Sequence, residues 1–234
     1  MGKGYKAKVC TYCGVAGASQ AGDHVFARKL FPVEHRANLP QVPACGQCNQ
    51  AKAQLEHYLL TLLPFGGRHP NSSDLLHATA PPRLARNLKL HQELAAGRGR
   101  AWLDEKGIVR PATTLPFDGD KLLTLFRYVV RGLIAYHWQV QVPQSYAVGA
   151  SVLTRHGASF VEPFFRGQGG ARVQVTLGDG LVEYEGVQAA DDPALSLWRF
   201  RLYGGVRLAD DPQRTSEAVD MIWGMSAKNL FSGI

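Results

Sequence analysis

The sequence predicts an α+β fold: a small N-terminal module of two strands and a helix, a helical connector, and a larger α+β region with a long helix and an antiparallel sheet. Three observations support this. All four cysteines fall in two Cys-x-x-Cys pairs within the first 48 residues, an apolar helical pattern covers 122–142, and alternating β patterns follow it. We place the three parts at 1–66, 67–117 and 118–234.

Composition sets broad limits on function. The chain has 234 residues, 45% hydrophobic and 19% charged, which is typical of a globular protein able to bury a core. Its net charge of +7 suggests a polyanionic partner, although charge alone does not establish one. The basic N-terminus lacks the apolar segment of a secretory signal, and no uninterrupted apolar run reaches the length of a membrane span. We therefore expect a cytoplasmic protein without a membrane partner.

The cysteine spacing predicts one structural zinc site. A cytoplasmic protein keeps its thiols reduced, so paired Cys-x-x-Cys motifs favour metal binding over disulfides. Gly14 allows the sharp turn that two thiolates three residues apart need in order to face one ion. The predicted ligands are Cys10, Cys13, Cys45 and Cys48.

The N-terminal module is expected to contain two strands and a helix. Alternation favours a short strand over Asp23–Phe26, and a second apolar segment at Leu39–Val42 follows it. Apolar residues then recur at three- and four-residue intervals from Asn49 until Pro64, which predicts a helix. The 31 residues at 14–44 separate the two cysteine pairs, so zinc would close the segment between them.

The middle of the chain is predicted to contain one helix with a connector on each side. Pro64–Ser73 predicts a linker, a helix is expected from Pro81-Pro82 to Gly97, and Pro111–Gly119 predicts a second connector. Basic residues cluster on this helix and just after it, where they could meet phosphate, although such a run is more often a solvated face. They are Arg83, Arg86, Lys89, Arg98 and Arg100.

The C-terminal region is predicted to pack a long helix on antiparallel strands. Asp118 or Asp120 can cap a helix over Lys121–Gln139, whose broad apolar stripe predicts burial. A Gly-Asp-Gly turn joins alternating segments at 172–177 and 181–187, which indicates a hairpin. Leu195–Tyr203 also alternates, with 206–208 as a neighbour. No motif assigns a chemical role to residues 118–234.

Polar residues stand at regular places between and after the cysteine pairs. They are the motif Asp23-His24-Val25, the pair Asn38-Leu39, then Asn49 directly after Cys48, and Lys52. In order and spacing, Cys10 to about Tyr58 resembles the HNH endonuclease family of the ββα-metal type with an added zinc knuckle pair. The resemblance covers about a fifth of the chain. Ala27 stands where many members have proline, and Asn49 replaces a histidine.

The resemblance implies a metal-dependent nuclease that cleaves DNA, one strand per active site. In this family the histidine after the motif aspartate is the general base, which implies that His24 activates the attacking water. Asp23 and Asn49 would hold the catalytic Mg²⁺ or Mn²⁺, and Asn38 would support the loop and orient His24.

The family pattern also implies contacts with nucleic acid. Lys52 would lie one helical turn after Asn49, beside the scissile or a neighbouring phosphate, and Arg28 would make a second contact. Elementary chemistry agrees with these roles, since an ordinary histidine pKa near 6.5 suits a base at neutral pH. Carboxylate and amide oxygens suit a hard divalent ion, whereas thiolates suit zinc.

Other interpretations stay open. The module could be a non-catalytic zinc module that binds nucleic acid or a protein partner, and a nuclease acting on RNA is a weaker alternative to one acting on DNA. A homodimer or a partner protein could use the C-terminal region. The family's association with mobile elements and bacterial defence is an analogy. His35, His57 and Glu56 are expected to be solvated or packing residues.

Overall fold

A computed structural model describes residues 3–105, 107–167, 170–209 and 219–228. It confirms the α+β class, with an antiparallel five-stranded sheet. The helices, in chain order, are α1 (Gly46–Leu62), α2 (Ser72–Arg86), α3 (Leu88–Ala96), α4 (Gly119–Trp138) and α5 (Arg155–Gly167). The strands are β1 (Ala21–His24), β2 (Gln41–Ala44), β3 (Gly99–Glu105), β4 (Ile108–Thr114), β5 (Tyr146–Ser151), β6 (Arg172–Leu177), β7 (Val182–Gln188), β8 (Ser196–Leu202) and β9 (Ile222–Lys228). In the described part of the chain, no helix has the length and apolar character needed to cross a bilayer.

The N-terminal module has the predicted order of strand, strand and helix. Strands β1 and β2 pair antiparallel, with Asp23 opposite Val42 and His24 opposite Gln41. β1 ends two residues before the predicted strand does, and β2 begins two residues after its predicted start. Val25 N–H donates to the Pro40 carbonyl (2.9 Å), but proline has no N–H to donate in return, so regular pairing ends there.

Two helices and a hairpin replace the predicted linker, helix and connector in the middle of the chain. Helix α2 begins at Ser72 and runs through Pro81 and Pro82, so the expected helix start at these prolines was wrong. Proline fixes φ near the helical value, but inside a helix each proline removes a backbone donor and crowds the carbonyl four residues earlier. α3 is a separate helix, capped by the Asn87 side chain, which accepts from Leu90 N–H at 3.1 Å.

The segment predicted as a connector at Pro111–Gly119 begins inside a strand. β3 and β4 form an antiparallel hairpin in which Trp102 stands opposite Pro111 and Glu105 opposite Ile108. Neither strand pairs with any other strand of the described chain. We call this hairpin the β3–β4 ribbon.

The C-terminal region packs α4 on a sheet with strand order β5-β9-β8-β7-β6. The predicted cap is confirmed, since Asp118 Oδ1 accepts from Lys121 N–H at 3.1 Å. The hairpin β6–β7 and strand β8 also match the sequence patterns. Strands β5 and β9 and helix α5 were not predicted. Residues 206–208 were expected to pair next to β8. Leu208 instead forms a β-bridge with Val219.

One apolar core joins the N-terminal module to the sheet. Val25 and Phe26, at 0% and 2% exposure, contact the same cluster as the α4 residues and Trp198. At Gly132 a Cβ would lie 2.9 Å from the Val25 Cγ2 atom, so glycine lets α4 approach the segment after β1 closely. The division at 66/67 and 117/118 stays a prediction. Helix α4 therefore packs against the N-terminal module at the segment that follows β1.

Candidate metal centre and its buried polar network

The four cysteines converge on one point. The sulfur atoms of Cys10, Cys13, Cys45 and Cys48 all lie within 4.8 Å of one another, and none is in a disulfide. Cys13 Sγ and Cys45 Sγ are 4.0 Å apart. Four thiolates at the usual Zn–S distance of about 2.3 Å would be roughly 3.8 Å apart in a tetrahedron. The cluster therefore fits a structural metal such as zinc.

Backbone groups surround the sulfur atoms. Cys45 N–H donates to Cys10 Sγ at 3.3 Å, and Cys48 N–H donates to Cys45 Sγ at 3.5 Å. Burial alone would raise the pKa of the Cys10 thiol, but hydrogen bonds from backbone N–H groups lower it to about 7. Burial raises the pKa of the Cys13 and Cys48 thiols, so zinc, which binds thiolates, must displace their protons when it binds. Gly14, at φ +74°, makes the tight turn after the first pair.

The second cysteine pair also begins helix α1. Cys45 is the N-cap, and Asn49 N–H donates to its carbonyl at 3.0 Å. This attaches the first turn of the helix, including Asn49, to the metal cluster. The Asn49 side chain is half-buried and hydrogen-bonds to no residue that the structure describes.

Lys52 is the central residue of a buried polar network. Its side chain is 0% exposed. The ammonium donates to the His24 carbonyl at 2.7 Å, lies 3.1 Å from Asp23 Oδ2, and pairs with Glu56 one turn further along α1. Lys52 therefore joins α1 to β1 at the Asp23-His24 motif. Its predicted contact with phosphate stays a prediction, and in this conformation the ammonium is out of reach of a ligand in solvent.

Asp23 receives a second donor from the first cysteine pair. The Tyr12 hydroxyl donates to Asp23 Oδ2 at 2.6 Å. Burial and the neighbouring Asp23 carboxylate raise the pKa of Tyr12 well above its ordinary value, so the hydroxyl remains a donor. The Tyr12 ring packs edge-on against Tyr128 of α4, with 5.2 Å between centroids. Asp23 is thus held by Tyr12, which lies between Cys10 and Cys13, and by Lys52 of α1.

Glu56 completes the network. Burial raises the pKa of its carboxyl, while Lys52 acts in the opposite direction. Two carboxylates, Asp23 and Glu56, share one ammonium, so the group carries one net negative charge when both are ionised. Of the two expectations for Glu56, solvated or packing, the structure shows the second, because α1 turns this side chain toward the buried Lys52 ammonium.

His24 lies on the opposite side of β1 from Asp23, as neighbouring residues of a strand must. Its Nε2 atom is 2.6 Å from the side-chain amide nitrogen of Gln41, directly across the strand pair. Burial lowers the pKa of His24, and the charges of Arg28 and Lys52 lower it further, against the opposing effect of Asp23. The ring is therefore neutral near pH 7, which is the form a general base requires.

The other predicted residues fall around this motif. Arg28 is exposed and close enough for its charge to act on His24. Asn38 is exposed, in a turn where its φ of +56° is left-handed, a conformation that asparagine tolerates better than most residues. It makes no hydrogen bond to His24, and Gln41 is the residue that contacts this ring. The orienting role predicted for Asn38 stays a prediction.

Sequence reasoning missed Tyr12, Gln41 and Glu56. The four-residue spacing of Lys52 and Glu56 predicts that they pair on one face of a helix, but such pairs usually lie on the surface. Gln41 could be found only from the register of β1 against β2, and Tyr12 only from the turn made by the first cysteine pair.

The donors that the sequence predicts for a second, harder metal ion are Asp23 and Asn49. Both contacts to the Asp23 carboxylate use Oδ2, which leaves Oδ1, and the Asn49 amide oxygen makes no hydrogen bond within the described chain. One carboxylate and one amide oxygen fit Mg²⁺ or Mn²⁺, which retain water ligands. The Lys52 ammonium beside Asp23 opposes a further cation on the same carboxylate.

Comparison with protein family models, curated proteins and solved structures finds no match.

Proposed function

We propose that this protein is a metal-dependent endonuclease of the HNH type that hydrolyses DNA phosphodiester bonds. The observation that supports it most is the attachment of the Asp23-His24 motif to the helix that carries Asn49, through the buried Lys52 ammonium. Together with the cysteine cluster, this holds a histidine, a carboxylate and an amide within one small module. DNA is the favoured substrate and RNA the weaker one, in a cytoplasmic setting that keeps the thiols reduced.

In this proposal His24 is the general base. In the structure the Gln41 amide nitrogen faces Nε2. Rotating this amide by 180° would turn its oxygen to accept from a protonated Nε2, and Nδ1 would then keep the lone pair that removes a proton from water. The water oxygen then forms a bond to phosphorus as the bond to the leaving deoxyribose oxygen breaks, and the leaving oxygen takes a proton from solvent water. A divalent ion held by Asp23 and Asn49 would supply positive charge for the phosphate oxygens.

The residues around the base contribute by positioning. Lys52 and Tyr12 fix the orientation of the Asp23 carboxylate, and the Lys52 contact with the His24 carbonyl fixes the backbone that carries the base. Arg28, exposed beside His24, supplies a positive charge for the DNA backbone. Positioning of this kind contributes to rate because a reacting group held in place needs no further ordering.

Zinc-loaded protein is expected to nick supercoiled DNA only when Mg²⁺ or Mn²⁺ is added. The measurement is conversion of supercoiled to open circular plasmid on agarose, against a metal titration from zero to about 10 mM. Since Asp23 is the only carboxylate proposed for the ion, Asp23→Asn should raise the metal concentration needed for half-maximal rate. Identical nicking with and without added divalent ion would contradict the proposal.

A non-catalytic zinc module that binds nucleic acid or a protein is the second candidate. The observation in its favour is that two donors, Lys52 and Tyr12, already hold Asp23 Oδ2. The same plasmid assay separates the two candidates. Retardation of DNA on a native gel, with no nicking at any concentration of Mg²⁺ or Mn²⁺, would support the binding module, in which the C-terminal region could hold a partner or a second copy.

A further inference from the structure

Five residues on one face of the β3–β4 ribbon are exposed to solvent. Arg100 and Trp102 on β3 share this face with Val109, Pro111 and Thr113 on β4, and all five are exposed. Trp102 is 66% and Val109 61% exposed, which is unusual for large apolar side chains. On the other face, Ala101 is buried, so the ribbon is held at its base and open along one side.

The exposed charge on and around the ribbon is mostly positive. Arg98 and Arg100 are exposed and form no ion pair with any described residue, and Arg110 is exposed on the other face near the turn. Arg86 and Lys89 are exposed on the two preceding helices. Two acidic residues belong to the same hairpin: by register Asp104 stands opposite Val109, at the turn end of the face that carries Arg100 and Trp102, and Glu105 stands opposite Ile108 on the other face. A positive, partly apolar surface of this kind complements a polyanion that also offers apolar groups.

The dimensions of the ribbon suit duplex DNA. Each strand has seven residues, or about 23 Å at the usual rise per residue. The major groove of B-DNA is about 12 Å wide and admits a two-stranded ribbon. Arginine can bind guanine edges or phosphates there, and apolar side chains can contact thymine methyl groups.

The ribbon is attached to the helix that carries the proposed active site. The chain leaving β4 packs Phe117 against Tyr58 of α1, with 6.3 Å between ring centroids, and Asp118 N–H donates to the Tyr58 hydroxyl at 2.9 Å. Tyr58 follows Asn49 by nine residues, which is about 14 Å along the helix axis. The ribbon could therefore contact a duplex bound at His24 and Asn49 a few base pairs away from these two residues.

We propose that the β3–β4 ribbon is a second DNA-binding site, which enters the major groove of the duplex beside the cleaved bond. Arg98 and Arg100 bind the DNA, and Trp102 packs against base or sugar edges. This inference rests on the proposed nuclease function, because it assigns the substrate of that activity as duplex DNA.

The test is binding of a labelled 24-base-pair duplex, followed by fluorescence anisotropy over a range of salt concentrations without added Mg²⁺ or Mn²⁺. The double variant R98A/R100A is compared with R155A/R166A, which removes two exposed arginines from α5. Each lost phosphate contact lowers the salt slope by about 0.9, so the ribbon variant should lose up to about 2 units of slope and about tenfold in affinity. The α5 variant should bind as the wild type does. Equal losses in both variants would overturn the proposal, because only net charge would then matter.

Two further measurements address the mode of binding. Duplex DNA should protect Trp102 from acrylamide quenching. Trp198 and Trp223 are buried and Trp138 is half-buried, so Trp102→Phe is needed to assign the protected signal to Trp102 and should remove it. Duplex RNA, whose deep and narrow major groove excludes a ribbon, should compete more weakly than duplex DNA. Equal competition by duplex RNA or by single-stranded DNA, or unchanged quenching of Trp102, would overturn the groove assignment.

Nicking assays distinguish a failure of this inference from a failure of the proposed function. If the wild type binds duplex DNA through the ribbon but never nicks it, the nuclease proposal fails and the binding site stands. If the wild type nicks DNA and R98A/R100A nicks with unchanged rate and KM, the ribbon proposal fails and the nuclease proposal stands.

Discussion

Replacing Cys45 with serine is expected to abolish zinc binding and to unfold the N-terminal module. Cys45 supplies one of the four sulfur atoms and also caps α1, so its loss removes a metal ligand and weakens the helix start. Zinc binding contributes roughly 10 to 16 kcal/mol in small modules, whereas a whole domain is stable by only about 5 to 15 kcal/mol. A three-thiolate site cannot replace that contribution.

The loss should spread beyond the module because the core is continuous. Val25 and Phe26 pack in the same cluster as α4 and Trp198, so unfolding the module exposes part of the core of the sheet. We expect Cys45→Ser to lower the temperature of the whole unfolding transition in circular dichroism, with less than one zinc per chain by mass spectrometry. Gln47→Ser, an exposed change between the two cysteines, is the matched control and should retain both. Full zinc content and an unchanged transition in Cys45→Ser would contradict the structural role of the cluster.

Replacing Lys52 with alanine is expected to destabilise the protein by about 3 to 5 kcal/mol, the usual cost of removing one partner from a buried ion pair. The ammonium is 0% exposed and serves Asp23, Glu56 and the His24 carbonyl. Its loss removes the charge partner of both carboxylates and leaves Asp23 with the Tyr12 hydroxyl as its donor. The measurement is chemical unfolding of zinc-loaded protein. Lys89→Ala, at an 88% exposed lysine on α3, should change the free energy of unfolding by less than about 0.5 kcal/mol.

The phosphate contact predicted for Lys52 leads to a different result. A lysine that only contacts DNA would lower binding when replaced and leave the free energy of unfolding nearly unchanged. The buried network also predicts that the two substitutions are not additive. Lys52→Met alone leaves the Glu56 carboxylate buried without its ion-pair partner, and adding Glu56→Gln removes that charge. The double variant should therefore be less destabilised than Lys52→Met alone. A Lys52→Ala protein as stable as the wild type would contradict the buried network.

The features that the sequence predicts correctly are local. The cysteine spacing indicates the cluster, Asp118 precedes α4 as a cap, and the Gly-Asp-Gly turn indicates the β6–β7 hairpin. Each depends on residues close in the chain, where turn geometry and periodicity act directly.

The features that the sequence could not predict depend on distant partners. A lysine and a glutamate four residues apart look like a surface pair, and only the packing of α1 against β1 buries Lys52. The partner of His24 follows from the pairing of β1 with β2, which places Gln41 opposite it. Pro111 argued against a strand, yet β4 pairs on one side only, so the missing N–H is tolerated.

The rate of plasmid nicking by His24→Ala, compared with the wild type at equal zinc content and saturating Mg²⁺, tests the central proposal most directly. Loss of a general base should lower the rate by about 10²- to 10⁴-fold, while duplex binding and the unfolding transition stay close to those of the wild type. Equal nicking by the two proteins would remove His24 as the base, and with it the assignment of this module as the catalytic site.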